Sequence, residues 1–145
     1  MRRFTMTALT LALAALVVAC SSTSSGSSSS GSSLTGKTWQ LTAITEVTPA
    51  FQGVVPAADQ ANYTIEFKTD GSFQSKADCN SLSGQYTTTS TGGLTITPGP
   101  MTRVACPEGS MSDQYVTGLS NAASYAIASG QLTITLKDGG TLVFK

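Results

Sequence analysis

The chain has 145 residues, with 8 basic and 8 acidic side chains, no histidine, 3 cysteines and 40% apolar residues. That is room for one domain of ordinary size. Zero net charge on only 11% charged residues supplies no cationic field for nucleic acid, and the lack of imidazole removes histidine-based triads and the common zinc sites.

Residues 1–19 read as an export signal. Arg2 and Arg3 form a positive start, and Ala8 to Val18 is an apolar run broken only by Thr10, too short to cross a bilayer as a permanent helix. The run ends in Val17-Val18-Ala19-Cys20, which resembles the bacterial lipobox. That resemblance implies acylation of Cys20, palmitate-type chains as the membrane anchor, and a mature chain beginning there; two or more acyl chains are what stable attachment requires. The alternative is a plain secretory peptide with an incidental cysteine. Residues 20–33 form a tether, serine throughout Ser21 to Ser33 except Thr23, Gly26 and Gly31. Such a segment buries no apolar surface and, as a flexible coil, spans roughly 20 Å. Ser21 follows Cys20 where aspartate is associated with inner-membrane retention, which favours an outer-membrane address in the cell envelope if the source has two membranes.

Residues 34–145 carry the fold. Apolar residues recur at a spacing of two in Trp39, Leu41 and Ala43, in Tyr63, Ile65 and Phe67, in Leu94 and Ile96, in Leu132, Ile134 and Leu136, and in Leu142 and Phe144. Each set alternates with polar residues, the pattern of a strand with one buried face. Asp70-Gly71, Ser129-Gly130 and Asp138-Gly139-Gly140 punctuate these runs as hairpin turns, so antiparallel pairing is expected. Thr48 to Ala61, with Pro49, Gly53 and Pro56, shows no such pattern and is expected to be a surface loop. Met111, Tyr115, Leu119 and Ala122 fall on one helical stripe, which predicts a short helix over about Met111 to Ala123, with Ser110 and Asp113 as a capping pair. The expected fold is mostly β (α+β): seven to nine strands in an antiparallel curled, barrel-like sheet, with the helix packed against it.

Cys79 and Cys106 remain once Cys20 is acylated, and outside the cytoplasm such a pair most often forms a disulfide, worth on the order of 3 to 4 kcal/mol in the chain-entropy picture. Two free thiols are the alternative, and without histidine the pair makes no metal site.

Leu34-x-Gly36-x-x-Trp39-x-Leu41, Phe67-x-x-Asp70-Gly71-x-Phe73, Cys79-Asn80-x-x-x-Gly84-x-Tyr86 and Met101-Thr102-Arg103-x-Ala105-Cys106-Pro107 stand in the order of the META-domain, or HslJ-like, family, which the chain resembles over residues 34–145. The resemblance implies a compact β-rich domain with one helix, often an envelope lipoprotein linked to stress responses, with no agreed activity and no catalytic residues to carry over. Asp78-Cys79-Asn80 departs from the family's Gly-Cys-Asn or Gly-x-Asn, so the backbone there is expected to turn less tightly.

No phosphate loop, nucleophile elbow or paired carboxylates are present, so a non-enzymatic binding or stabilising module without cofactors is expected. If the disulfide forms, Asn80 and Arg103 become neighbours and could share a polar cluster suited to a small anion or peptide carboxylate; otherwise Arg103 pairs with Asp78 or a backbone carbonyl. Phe51, in the irregular stretch, is the candidate exposed partner contact. The expected partners are a membrane through the anchor and an unidentified envelope protein. The alternative is a carrier whose curled sheet encloses a small apolar ligand, as lipocalin-like barrels do.

Overall fold

The computed structural model describes residues 33–145. The export signal, Cys20 and the tether up to residue 32 lie outside the described residues.

The described residues form β1 (Thr38–Val47), β2 (Ala50–Val54), β3 (Tyr63–Phe67), β4 (Ser72–Ala77), β5 (Asn80–Thr88), β6 (Leu94–Met101), α1 (Ser112–Ser120), β7 (Ala122–Ala128), β8 (Gln131–Leu136) and β9 (Thr141–Phe144), with a 3₁₀ turn at Gln60–Asn62. All nine strands belong to one antiparallel sheet, ordered β6-β5-β4-β3-β1-β9-β8-β7, with β2 paired to the second half of β1. The sheet curls into a half-barrel. Its two outer strands approach each other, with a Gly93–Ser124 bridge just before β6, where the Tyr125 N–H donates to the Gly92 carbonyl at 2.9 Å. The helix packs on β6, β4, β1 and β9 and covers the side left open.

The alternating residues do face one core. Trp39, Leu41, Ile65, Phe67, Leu132, Ile134, Leu142 and Phe144 are buried, each burial contributing roughly 1.5–3 kcal/mol. Ala43 is the exception. The β1–β9 register shifts between Leu41 and Ala43, a bulge that moves the buried positions by one residue, so Ile44 faces the core and Ala43 does not.

Three further expectations are corrected. Thr48 to Ala61 is not a loop throughout: β2 pairs in regular register with β1 from Val47↔Ala50 to Ala43↔Val54, and Val55 beyond it is buried. Alternation is present there after all, in Phe51, Gly53 and Val55, but glycine in the middle hides it. A Cβ on Gly53 would lie 2.5 Å from Met111 Sδ and 2.9 Å from the Phe51 ring, so the missing side chain is the space those two fill. The helix ends at Ser120, and Ala122 and Ala123 begin β7. Ala122 is buried, so its position on the stripe satisfied a helix and a strand equally. Finally, the Asp78-Cys79 turn is tight: Ala77 pairs directly with Asn80, and Asp78 takes a left-handed φ of 59°. Aspartate tolerates that region better than most residues.

The helix is bolted to the sheet by polar groups as well as by packing. The fully buried Tyr115 hydroxyl donates to the Thr64 carbonyl at 3.0 Å and accepts from Ser75 Oγ at 3.1 Å. Ser112 Oγ donates to the Ala77 carbonyl at 2.9 Å, and the Met111 N–H donates to the Tyr63 hydroxyl at 3.0 Å. Of the expected capping pair, Ser110 accepts the Ser112 N–H at 3.2 Å, whereas Met111 occupies the cap position without a side-chain bond. Gly118 costs helix propensity, but a Cβ there would sit 2.9 Å from Leu142 Cδ2, so glycine sets the helix-to-sheet distance.

Because successive strands reverse, the connections divide between two rims. The chain enters at Leu34 on the lower rim, beside the turns at residues 68–71 and 129–130; there Trp39 Nε1 donates to the Leu34 carbonyl at 2.8 Å and the Lys37 ammonium lies 3.7 Å from the Trp39 ring centroid. The upper rim carries the β1–β2 turn, the Asp78-Cys79 turn, the long β6–α1 connection and the β8–β9 turn.

Candidate functional site

The upper rim is built around a Cys79–Cys106 disulfide with Cα atoms 5.4 Å apart. It ties the β4–β5 turn to the irregular connection after β6, a stretch with no ladder of its own. Asn80 completes the brace. Its side chain is 5% exposed; Oδ1 accepts the Val104 N–H at 2.8 Å and the Thr102 hydroxyl at 3.1 Å, and Nδ2 donates to the Val104 carbonyl at 3.0 Å and lies 3.4 Å from both disulfide sulfurs. Thr102 continues the seam, accepting the Ser81 N–H through its hydroxyl at 2.9 Å.

This saturates the Asn80 amide with the backbone on either side of Arg103. Arg103 itself is exposed and makes no side-chain hydrogen bond with a described residue, to Asn80, Asp78 or a carbonyl. The disulfide therefore brings the two segments together without joining Asn80 and Arg103 in one cluster. The reason is geometric: residues 102 and 104 turn their polar groups toward Asn80, and the residue between them points away.

Phe51 is half-buried, packed on the core beside Met111. The exposed apolar residues of the same hairpin are Val54, at 79%, and Val47, at 51%. They alternate with the inward set, which is the signal that a period-two reading of β2 would have used.

Three open clefts accompany this rim and the adjoining sheet face. One of about 310 Å³ lies beside the disulfide, between Asn80 and the first turn of α1. A second, about 570 Å³, separates β2 from residues 107–111 and is lined by Val54, Asp59, Asp78 and Glu108. The largest, about 640 Å³, runs over the outer face of β3, β4 and β5, with Glu66, Gln74, Lys76 and Ser83 on its floor and Pro100 and Met101 as a wall. Among the described residues no group of three or more aspartate, glutamate, cysteine or histidine side chains is arranged to hold a metal, and no helix is long and apolar enough to cross a membrane.

One more carboxylate organises the rim. Asp138, in the β8–β9 turn, accepts the Gly140 N–H at 2.9 Å, the Val47 N–H at 3.1 Å and the Thr48 N–H at 3.3 Å, which pins the β1–β2 hairpin to the opposite turn. Those bonds, Gly140 first, hold its carboxyl below the usual carboxylate range. Glu46 beside it is raised, by desolvation and then by the Asp138 charge.

The half-barrel, closed by the helix and stapled across its upper rim, packs its inward side chains into one core and leaves the clefts on its outside. The chain belongs to the META-domain family, whose model matches residues 32–145. Its fold is similar to that of a protein from Burkholderia xenovorans solved by NMR, at 24% identity and a TM-score of 0.58 over 77% of this chain and 82% of the other. It is also similar to a DUF4847 family protein from Bacteroides vulgatus in a crystal structure, at 15% identity and 0.53 over 77% and 92%, and to a further NMR structure at 21% and 0.56 over 74% and 86%. No functionally curated protein matches.

Proposed function

We propose that this chain is a non-enzymatic envelope lipoprotein: an acyl anchor at Cys20, a serine tether, and a META domain that binds or stabilises another envelope component. The observation that carries the binding-module reading is the filled interior. The side chains that would line a ligand chamber, among them Leu41, Ile65, Phe67 and Phe144, pack with Tyr115 and Leu119 of the helix in one cluster, and the Tyr63–Tyr115 and Tyr115–Phe144 rings meet at 6.0 and 6.2 Å. Recognition is left to the polar clefts outside. This favours an adaptor over a lipocalin-like carrier, whose interior must stay open.

Leu34 lies on the rim opposite the disulfide, so attachment through the segment before it obstructs nothing on the upper rim. In cells expressing the full chain, labelling with a palmitate analogue is expected at Cys20 and lost in Cys20→Ala; an unlabelled, soluble exported protein would remove the anchor. Native mass spectrometry of the full chain is expected to give no copurifying lipid ligand, and a bound lipid mass would restore the carrier.

A further inference from the structure

The upper rim contains an unused strand edge. The Val55 N–H donates to the Thr42 carbonyl at 2.9 Å, so the antiparallel ladder alternates inward at Val55, Gly53 and Phe51 and turns the backbone N–H and C=O groups of Ala50, Gln52 and Val54 away from β1. Those outward groups have no hydrogen bond to another described residue outside the ladder. The edge is regular, with no bulge, and Ala50–Val54 contains no lysine or proline, the devices that normally blunt such an edge. Its outermost side chain, Val54, is 79% exposed.

What lies beside the edge sets the occupant. The cleft of about 570 Å³ that Val54 lines also carries Asp59, Asp78 and Glu108, and no basic residue lines it. The Lys76 ammonium, which lines the cleft on the outer sheet face, donates to Asn62 Oδ1 at 2.7 Å. A second copy pairing edge to edge would set these carboxylates against their own images, and an anionic lipid surface would meet like charge.

We infer that the free edge of β2 is a docking site for an extended, basic segment of a protein partner, which adds a strand to the half-barrel and lays lysine or arginine side chains over Asp59, Asp78 and Glu108. Backbone bonds supply the attachment and the carboxylates select the partner. The inference rests on the binding-module reading, names the partner's chemistry, and does not depend on the lipid.

The test is a titration of the full chain with a synthetic alternating Lys/Val peptide, followed by backbone NMR, with a Glu/Val peptide as control. Shifts confined to residues 50–54, Asp59, Asp78 and the 107–111 wall are expected, with affinity falling as salt rises. Val54→Pro removes an outward N–H without touching the β1 ladder and should weaken binding about fivefold or more. The triple variant Asp59→Asn, Asp78→Asn, Glu108→Gln should remove the salt dependence and the preference over the Glu/Val peptide; asparagine suits the left-handed φ at position 78. Equal binding of both peptides, shifts elsewhere, no binding, or self-association through β2 would overturn the inference. If the Lys/Val peptide fails while the chain still crosslinks to an envelope protein through another face, the docking site falls and the binding-module reading stands.

Discussion

Asn80 holds Val104 at two points: its Oδ1 accepts the Val104 N–H at 2.8 Å, and its Nδ2 donates to the Val104 carbonyl at 3.0 Å. One buried amide thus replaces a rung of β-ladder for a segment that has no strand partner there. Asn80→Ala removes both bonds to Val104, leaves the segment held by the disulfide and by the Thr102–Ser81 bonds, and should destabilise the domain by about 2 kcal/mol in urea unfolding under oxidising conditions. Asn80→Asp loses the donor to the Val104 carbonyl and should not recover it. A loss under 0.5 kcal/mol, roughly the floor for a single net hydrogen bond, would mean the disulfide suffices.

Tyr115 is the corresponding bolt inside. Tyr115→Phe keeps the ring contacts with Tyr63 and Phe144 but leaves the buried Ser75 hydroxyl without its acceptor, for an expected cost of about 1–2 kcal/mol by thermal unfolding. Burial pushes the Tyr115 phenol far above its ordinary range, more than the Ser75 bond lowers it. Its raised folded-state pKa means that this contribution is complete below the unfolded phenol value of about 10 and is lost as pH climbs beyond it. Alkaline spectrophotometric titration should show one tyrosine that ionises only with unfolding, absent in Tyr115→Phe.

Asp138 works in the opposite direction. Its carboxyl is depressed, so its contribution is present above the ordinary aspartate value of about 4 and fades as pH falls through the folded value. Acid unfolding monitored by circular dichroism should begin at lower pH in wild type than would be expected without the hairpin pin, and Asp138→Ala should flatten that part of the profile. Amide exchange at Val47 and Thr48 should rise in the variant, since both N–H groups lose their acceptor.

Asp78 offers a gain. Its φ of 59° strains any side chain, and glycine relieves that, although glycine also enlarges the unfolded ensemble. Asp78→Gly should be neutral to stabilising, by up to about 1 kcal/mol. Asp78→Val should lose more than 1 kcal/mol, roughly the price of a β-branched residue in the left-handed region, and equal stability of the two variants would show that the turn relaxes.

Much of this fold was legible in order. The period-two runs at Tyr63 to Phe67, Leu132 to Leu136 and Leu142 to Phe144 name their strands and buried faces, because a half-buried strand writes its two environments directly into alternation. The cysteine count made the Cys79–Cys106 pair the expectation, with two free thiols as the alternative, and the structure joins them. Ser129-Gly130 forms the expected turn with both residues at positive φ, whereas Asp70 instead accepts the Ser72 N–H at 2.9 Å within a longer turn. Local chemistry can specify a reversal without specifying its length.

Sequence alone therefore determined where the alternating strands lie and most of the residues that avoid water, since each depends on a side chain's own polarity and its neighbours along the chain. Tertiary structure decided the rest: that a bulge passes the core from Ala43 to Ile44, that Gly53 conceals a strand beneath Met111, and that Asn80 grips Val104 rather than Arg103. Those outcomes depend on atoms distant in the chain competing for the same space and the same hydrogen bonds, a contest settled only when the sheet curls and the helix closes on it.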